Sequence, residues 1–349
     1  MTADSALAAY DRRVDRAFRR WVNKTLPPEL RGAAFSLPYR LGYSAQPGWR
    51  SWRDVFGTPV FRSLPYLVGE GFPHVARVQL DSLGLAHVLL IFLALVDDAA
   101  LDSQVGFSRS TNLIRRSLEL ELGARLATAV GALPGFWRLY RRMFREYNAG
   151  HASEPALWAG MESRYDHARY ARDSAAKTAI AGLPGLAVAL LGGATPAAVS
   201  RLGRVIDRYL VGMQYLDDAA DWEDDFRSGR WTYFIQLHLQ PGERRQPGAA
   251  PGAVALRHRS SISIATMRKR VAASAVTEEF LFRASGHYAA CVDLLEEFTM
   301  PAFRRQASAK RDALARLAGA RRQLREQQRD QFIHALRRCW SGDAAAPVV

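Results

Sequence analysis

The chain has 349 residues, of which 48% are hydrophobic, so it is long and apolar enough for a substantial core in one large domain or two ordinary ones. Its 48 lysines and arginines against 34 acidic residues give a net charge of +14. This charge suits an anionic partner: nucleic acid, an anionic membrane surface or a phosphorylated small molecule. The two cysteines, Cys291 and Cys339, exclude a disulfide framework and a cysteine-based metal site, and they fit a reducing cytoplasm.

The N-terminal segment, residues 1–30, predicts a basic amphipathic helix that ends at Leu26-Pro27-Pro28. This segment is charged throughout and lacks an apolar core, so no signal peptide is expected. Residues 31–339 are predicted to form one helical domain. Within it, residues 240–253 are rich in proline and glycine and predict a surface loop, and the tail, residues 340–349, is expected to be disordered.

Two apolar runs could be mistaken for membrane spans. Residues 83–96 are too few to cross a bilayer and end at an aspartate pair, and prolines and glycines break residues 178–200 into shorter pieces. Both are predicted to be buried helices, so no transmembrane segment and a cytoplasmic location are expected.

The periodicity of the remaining chain is helical. Residues 73–101 predict an apolar helix, residues 107–147 two amphipathic helices, and residues 196–227 one long helix. The arginines of the amphipathic pair are expected to coat its outer faces: Arg115, Arg116, Arg138, Arg141, Arg142 and Arg145. No run of period two between turn signals indicates a sheet. The predicted fold class is all-α.

Two acidic clusters each close an apolar helix. At 100° per residue, the aspartates of the second cluster fall on one side of a helix, and those of the first obey the same geometry. The clusters are Asp97, Asp98 and Asp102, then Asp217, Asp218, Asp221, Asp224 and Asp225. Carboxylates without nearby histidine or cysteine favour Mg²⁺ or Mn²⁺ over zinc or copper. The chain lacks the P-loop of nucleoside triphosphate enzymes and the Glu-x-x-His pairs of di-iron bundles.

Four segments resemble motifs of the class I isoprenoid synthase superfamily, which includes prenyl diphosphate synthases, class I terpene cyclases and squalene/phytoene synthases. DDAALD, residues 97–102, resembles the first aspartate-rich motif, and QYLDDAAD, residues 214–221, resembles the second. Lys177-Thr178 resembles the basic pair between these motifs, and GRWTY, residues 229–233, resembles the segment after the second. The likeness spans about residues 75–240. It implies a single large antiparallel helical bundle around a central apolar cavity.

The resemblance also implies roles for individual residues. Metal ligands for Mg²⁺, expected as three ions with Mn²⁺ as a substitute, are Asp97, Asp98, Asp102, Asp217, Asp218, Asp221 and Asp225. Catalytic residues are Asp97, Asp98, Asp217, Asp218 and Arg172, the last as a diphosphate-sensing arginine. Contacts to the substrate are implied for Lys177, Thr178, Arg230 and Gln214. Phe92, Tyr215 and Trp222 are candidate aromatic walls that stabilise a carbocation, with ordinary core packing as the alternative for each.

Two departures from the prenyl diphosphate synthase pattern bear on the function. Gly48-Trp49-Arg50 lacks the expected lysine, and Ser103-Gln104-Val105 stands where paired arginines are expected. Because these groups hold the second, attacking diphosphate, the sequence predicts a Mg²⁺-dependent terpene cyclase that ionises a C15 or longer prenyl diphosphate and releases diphosphate. The predicted partner is this prenyl diphosphate, not nucleic acid, and the resemblance allows a homodimer.

Alternative functions remain open from the sequence. The first is a prenyltransferase, either chain-elongating or of the head-to-head squalene/phytoene synthase kind. The second belongs to another class: a non-catalytic basic helical protein that binds nucleic acid or an acidic membrane.

Overall fold

The computed structural model describes residues 3–101, 108–158, 165–240, 243 and 262–340. Within these ranges the chain is helical and contains no strand, which confirms the all-α prediction. The helices are α1 Ala3–Thr25, α2 Pro28–Arg40, α3 Trp52–Val55, α4 Pro59–Gly69, α5 Arg77–Leu101, α6 Arg109–Val130, α7 Phe136–Trp158, α8 His167–Thr178, α9 Leu183–Leu191, α10 Pro196–Ala220, α11 Trp222–Ser228, α12 Tyr233–Gln236, α13 Ile264–Ala273, α14 Val276–Leu294 and α15 Pro301–Trp340. Short 3₁₀ turns, Ala179–Gly182 and Leu295–Glu297, follow α8 and α14.

Helix α5 lies at the centre of the bundle. It packs against α1, α4, α6 and α9, and its residues 83–93 are all buried. Gly84 permits the close approach of α1, because a Cβ atom there would lie 2.1 Å from the hydroxyl oxygen of Tyr10. The mean hydropathy of this helix and of residues 167–191 would allow each to cross a membrane, but 72% and 67% of these windows are buried in the bundle. Burial of this kind is typical of core helices.

The second half of the bundle is built around α10, which packs against α8 and α14, and α14 packs against α15. Proline and glycine divide the apolar run at residues 178–200 as the sequence predicts: α9 has Pro184 in its first turn, and Gly193 has a φ of 78° before α10 begins. The N-terminal helix α1 is part of the same bundle, since Phe18 and Trp21 are buried against neighbouring helices.

Three sequence-based expectations fall partly or wholly on residues outside the described ranges. The loop predicted at residues 240–253 is described only at Gln240 and Glu243, and of the tail predicted at residues 340–349 only Trp340 is described. Asp102, a predicted metal ligand, also lies outside the described residues.

Candidate active site

An apolar cavity with a volume of about 310 Å³ lies between α5, α7, α8 and α10. Its walls are mainly aliphatic and aromatic, from residues such as Phe61, Ile91 and Met213. Asp98 on α5 and Asp217 on α10, one carboxylate from each acidic motif, line the same cavity. The fold therefore brings the two motifs together, although more than a hundred residues separate them in the chain.

The carboxylates of the first motif are paired with basic side chains. Arg115 on α6 forms a short ion pair with Asp97, and its Nη2 also lies 3.3 Å from Oδ2 of Asp97. The Nζ atom of Lys177 lies 3.2 Å from Oδ1 of Asp98. The pairing with Asp97 raises the pKa of Arg115. Arg115 therefore does not coat an outer face as the sequence predicts, because the start of α6 returns along the end of α5.

Lys177 links the first motif to α7. Its Nζ atom donates a hydrogen bond of 2.9 Å to Oε1 of Glu154. Gly150 makes this approach possible, because a Cβ atom there would lie only 2.7 Å from the backbone nitrogen of Lys177. One turn of α7 therefore places His151 and Glu154 beside the lysine.

The second motif lies on two helices. The predicted helix over residues 196–227 ends at Ala220, because Asp221 leaves helical geometry (φ −101°, ψ 7°) before α11 begins. The break separates Asp224, which is exposed and pairs with Arg227 at 2.8 Å, from Asp217 and Asp218. The continuous helix predicted from the sequence is therefore wrong at this point.

The ion pairs that the structure describes lie at the C-terminal end of the second motif. Arg230 pairs with Asp225 at 2.7 Å, after α11 ends at Gly229 in the left-handed region (φ 78°). Asp218 is buried and accepts a hydrogen bond of 2.8 Å from Nε2 of Gln214. In the described part of the chain, neither Asp217 nor Asp218 forms an ion pair.

The pKa values of the second motif are raised, mainly because the carboxylates are buried. Burial raises the pKa of Asp218 to about 7, although the hydrogen bond from Gln214 lowers it. Desolvation by the surrounding protein, together with the charges of Asp221 and Asp225, raises the pKa of Asp217 to about 6. The pKa of Asp225 is also raised by burial, against the opposing effect of Arg230. A bound cation would relieve these penalties.

The donor set fits a hard cation that the protein shares with its substrate. The side chains are carboxylates, and no group of three or more His, Cys, Asp or Glu residues within the described ranges is arranged to hold a metal by itself. Mg²⁺ is typically bound by one or two carboxylates together with phosphate oxygens and water, so this arrangement suits it. Asp98 and Asp217 at the cavity are the first candidates to hold such an ion.

The remaining predicted substrate contacts divide into two groups. Lys177, Thr178 and Gln214 line the cavity. Arg230 does not line it and is held by Asp225. Arg172, predicted to sense diphosphate, is exposed on α8 and lines no cavity, because it lies on the opposite face from Lys177.

The three predicted aromatic wall residues lie outside the cavity lining. Phe92 is buried with its ring centroid 5.6 Å from that of Trp52, while Ile91, one position earlier on α5, lines the cavity. Tyr215 is buried against Phe280 and lies 3.2 Å from Nδ1 of His167. Trp222 is half-buried at the start of α11. Core packing, the alternative given for each, describes their observed contacts.

Sequence reasoning missed three site residues: Arg115, His151 and Glu154. No motif contains them, and their helices resemble ordinary amphipathic segments. Spacing of three residues places His151 and Glu154 on one face of a helix, which is the only signal that the sequence offers. Their relation to Lys177 depends on the packing of α7 on α8.

Comparison with known proteins identifies the fold. A scan of family models and a search of curated protein sequences find no match to this chain. Among solved structures, a polyprenyl synthetase from Streptomyces coelicolor A3(2) is 18% identical, covers 89% of this chain and 99% of its own, and has a TM-score of 0.61. A heptaprenyl diphosphate synthase from Staphylococcus aureus is 13% identical, with coverage of 88% and 98% and a TM-score of 0.65.

A third match is a polyprenyl synthase from Caulobacter crescentus CB15, complexed with calcium and isoprenyl diphosphate. It is 17% identical, covers 90% of this chain and 95% of its own, and has a TM-score of 0.61. The chain has the class I isoprenoid synthase fold. This result confirms the fold implied by the sequence motifs, and the coverage shows that it extends beyond residues 75–240.

The same comparisons correct the predicted reaction. The matched structures are polyprenyl and prenyl diphosphate synthases, so the terpene cyclase prediction is contradicted, and its alternative, a prenyltransferase, agrees better. The cyclase prediction relied on missing basic residues next to the first motif. In the structure, a basic side chain that the motif comparison did not consider, Arg115, reaches Asp97 from the following helix.

Proposed function

We propose that this protein is a Mg²⁺-dependent prenyltransferase that joins an allylic prenyl diphosphate to isopentenyl diphosphate. One observation carries the proposal: Asp98, Asp217 and Lys177 meet at a single apolar cavity. The names of the similar structures, which include heptaprenyl, geranylgeranyl and decaprenyl diphosphate synthases, support the choice of reaction.

The cavity provides the two environments that such a substrate needs. Aliphatic and aromatic walls favour the prenyl chain, since burial of apolar surface contributes about 25 cal/mol per Å². Lys177 and Gln214 can donate hydrogen bonds to the phosphate oxygens from the polar end. The carboxylates by themselves would repel a diphosphate, so both motifs need a cation between protein and substrate. When bound there, Mg²⁺ stabilises the diphosphate as a leaving group.

The other predicted roles extend this proposal. We assign metal binding to Asp97, Asp98, Asp217, Asp218, Asp221 and Asp225, the last of which is paired with Arg230. Three metal ions, a homodimer and a cytoplasmic location stay predictions. Exclusion of water by the cavity walls protects the allylic cation that forms when the carbon–oxygen bond breaks.

A product assay tests the proposal. Purified protein is incubated with geranyl, farnesyl or geranylgeranyl diphosphate and Mg²⁺, with and without isopentenyl diphosphate. We expect longer prenyl diphosphates that form only when isopentenyl diphosphate and Mg²⁺ are both present. A hydrocarbon released without isopentenyl diphosphate, or a coupled dimer of one substrate, would contradict the proposal.

Two variants test whether the activity measured in this assay depends on the cavity. Lys177→Gln should reduce kcat/KM about 100-fold, because a charged hydrogen bond to the leaving diphosphate is lost. Lys269→Gln is the matched control, since Lys269 is exposed on α13 and lines no part of the cavity. Equal activity of the two variants would show that Lys177 does not contribute to the reaction.

A further inference from the structure

Between residues 12 and 24, the solvent-facing side of α1 carries positive charge only. At 100° per residue, its exposed basic side chains fall within an arc of about 140°. They are Arg12, Arg16, Arg19, Arg20 and Lys24, and we call them the α1 basic face. The neighbouring acids lie on other sides of the helix. Asp11 pairs with Arg62 at 3.0 Å. Asp15 accepts a hydrogen bond of 2.8 Å from the backbone nitrogen of Trp52.

The α1 basic face differs from other basic surface in its lack of acidic partners. Within the described ranges, four of its side chains form no ion pair: Arg12, Arg16, Arg20 and Lys24. On α15, by contrast, four arginines at the surface are each paired with an acid. These arginines are Arg304, Arg311, Arg322 and Arg329, and their partners are Glu296, Asp312, Glu326 and Asp330. Equal numbers of cations are therefore uncompensated on α1 and balanced on α15.

The α1 basic face ends at a surface pocket of about 160 Å³ between α1 and α6. Arg20 and Lys24 line this pocket together with Arg125 of α6, and none of the described lining residues is acidic. Arg125 is paired with Glu121 at 2.6 Å, so Arg20 and Lys24 supply the uncompensated charge. Trp21 also lines the pocket, and its indole nitrogen is buried without a hydrogen-bond partner among the described residues. A phosphate group suits this lining, because its oxygens accept hydrogen bonds from charged donors.

The loop between α2 and α3, residues 41–51, connects the α1 basic face with the apolar cavity. Near α3, the backbone oxygen of Arg50 accepts a hydrogen bond from Arg19 of the basic face. Near α2, Tyr43 lines the cavity and is 38% exposed, so it lies at the cavity opening. Tyr39, in the last turn of α2, is 46% exposed. Tyrosine is enriched at membrane–water interfaces, since its ring is apolar and its hydroxyl group is polar.

We propose that the α1 basic face docks on the surface of an anionic lipid membrane, with one lipid phosphate in the pocket at its end. The docking itself does not depend on the proposed prenyltransferase function. It would bring the opening of the apolar cavity, where that function places the prenyl chain, close to the bilayer. Nucleic acid would match the same positive charge, but it would leave the exposed tyrosines and the apolar opening without a contact. An anionic membrane uses all three features.

The position of the charges, more than the net charge, should decide this binding. A basic residue close to an anionic membrane surface changes the affinity by about fivefold. Its effect fades beyond the Debye length, which is about 10 Å at 0.1 M salt. Cations on other sides of the protein therefore contribute little, and two variants with the same net charge can bind very differently.

Sedimentation with lipid vesicles tests the proposal on the full chain without substrate. We expect the protein to bind vesicles of phosphatidylcholine mixed with phosphatidylglycerol but not vesicles of phosphatidylcholine alone, and to bind less as NaCl increases. A fourfold α1 variant should bind about 100-fold more weakly. Its changes are Arg12→Gln, Arg16→Gln, Arg20→Gln and Lys24→Gln. The matched α15 control loses the same charge and should bind within about threefold of the unaltered protein. Its changes are Arg304→Gln, Arg311→Gln, Arg322→Gln and Arg329→Gln.

Circular dichroism shows whether both variants fold. If the fourfold α1 variant does not, its two halves are measured separately, and each should bind about tenfold more weakly. The halves are Arg12→Gln with Arg16→Gln, and Arg20→Gln with Lys24→Gln.

Three results would overturn the docking inference. The first is that the unaltered protein does not bind the anionic vesicles, and the second is that the α1 and α15 variants lose affinity equally. The third is that a short DNA duplex of random sequence, at equal phosphate concentration, displaces the protein from the vesicles, which would make nucleic acid the partner. A failed product assay would refute the proposed function alone, because vesicle binding is measured without substrate.

Discussion

The two acidic motifs line one cavity but differ in how their charge is compensated. At the end of α5, Asp97 is paired with Arg115 and Asp98 with Lys177, which lies 3.2 Å away. At the end of α10, Asp218 is buried, accepts a hydrogen bond from the amide of Gln214 and forms no ion pair with the side chains described. Both described carboxylates of the first motif are therefore paired with a basic side chain, whereas Asp217 and Asp218 of the second motif are not.

This difference indicates different tasks for the two motifs. A partly exposed ion pair contributes about 0–1 kcal/mol, so the pairs at the first motif can be exchanged for other partners at little cost. A buried carboxylate without a counter-ion destabilises the fold unless a cation binds or the group takes up a proton. If the proposed function holds, we expect the second motif to attract metal more strongly, and the first to add ligands whose basic partners would lie beside the diphosphate.

The largest expected effect comes from neutralising the second motif at the cavity. Asp217→Asn should lower kcat about 100-fold, because the cation that stabilises the leaving diphosphate loses a ligand. Asp224→Asn is the control, since Asp224 is exposed and paired with Arg227. Steady-state kinetics at saturating Mg²⁺ checks this expectation. Equal rates for the two variants would contradict this expectation. Asp217, before the break at Asp221, would then matter no more for the reaction than Asp224, which follows it.

The next prediction concerns how the free energy of unfolding depends on pH. The pKa of Asp218 is raised to about 7 in the folded protein, above the ordinary value of an unfolded aspartate, so its ionisation opposes folding. The penalty is absent below about pH 4, grows as the pH rises, and is complete above about pH 7. Asp218→Asn should therefore stabilise the metal-free protein by up to about 4 kcal/mol above pH 7, since each pKa unit is worth about 1.4 kcal/mol, and not at pH 4.

Urea unfolding at several pH values measures this difference in stability. Asp293→Asn, an exposed change on α14, is the control and should show no comparable trend. A constant difference between Asp218→Asn and the unaltered protein from pH 4 to pH 8 would refute the idea of uncompensated charge.

The smallest effect concerns competition at the first motif. Arg115→Gln should raise the affinity for Mg²⁺ without substrate about threefold, since removing a surface ion pair of about 0.7 kcal/mol frees the carboxylate of Asp97. Calorimetric titration measures this affinity, with Arg116→Gln as the control because Arg116 is exposed. An unchanged or weaker affinity in Arg115→Gln would mean that Asp97 does not exchange partners.

Much of the candidate site could be predicted from local sequence. Asp98, Lys177, Thr178, Gln214 and Asp217 all line the cavity, because each belongs to a short motif whose spacing along one helix sets its direction. Prediction failed where a shift of one residue along a helix changes which side chain faces the cavity. Phe92 and Ile91 are neighbours in sequence but point about 100° apart, so only one of them reaches the cavity.

The sequence by itself determined the all-α class, the two acidic motifs and the isoprenoid synthase fold, since helical periodicity and motif spacing are local properties of the chain. Only the tertiary structure decided which side chains neutralise which carboxylates. Arg115 meets Asp97 because α6 packs along α5, and Glu154 meets Lys177 because Gly150 allows α7 to approach α8. Such contacts join separate helices, and their geometry depends on packing that no single segment encodes.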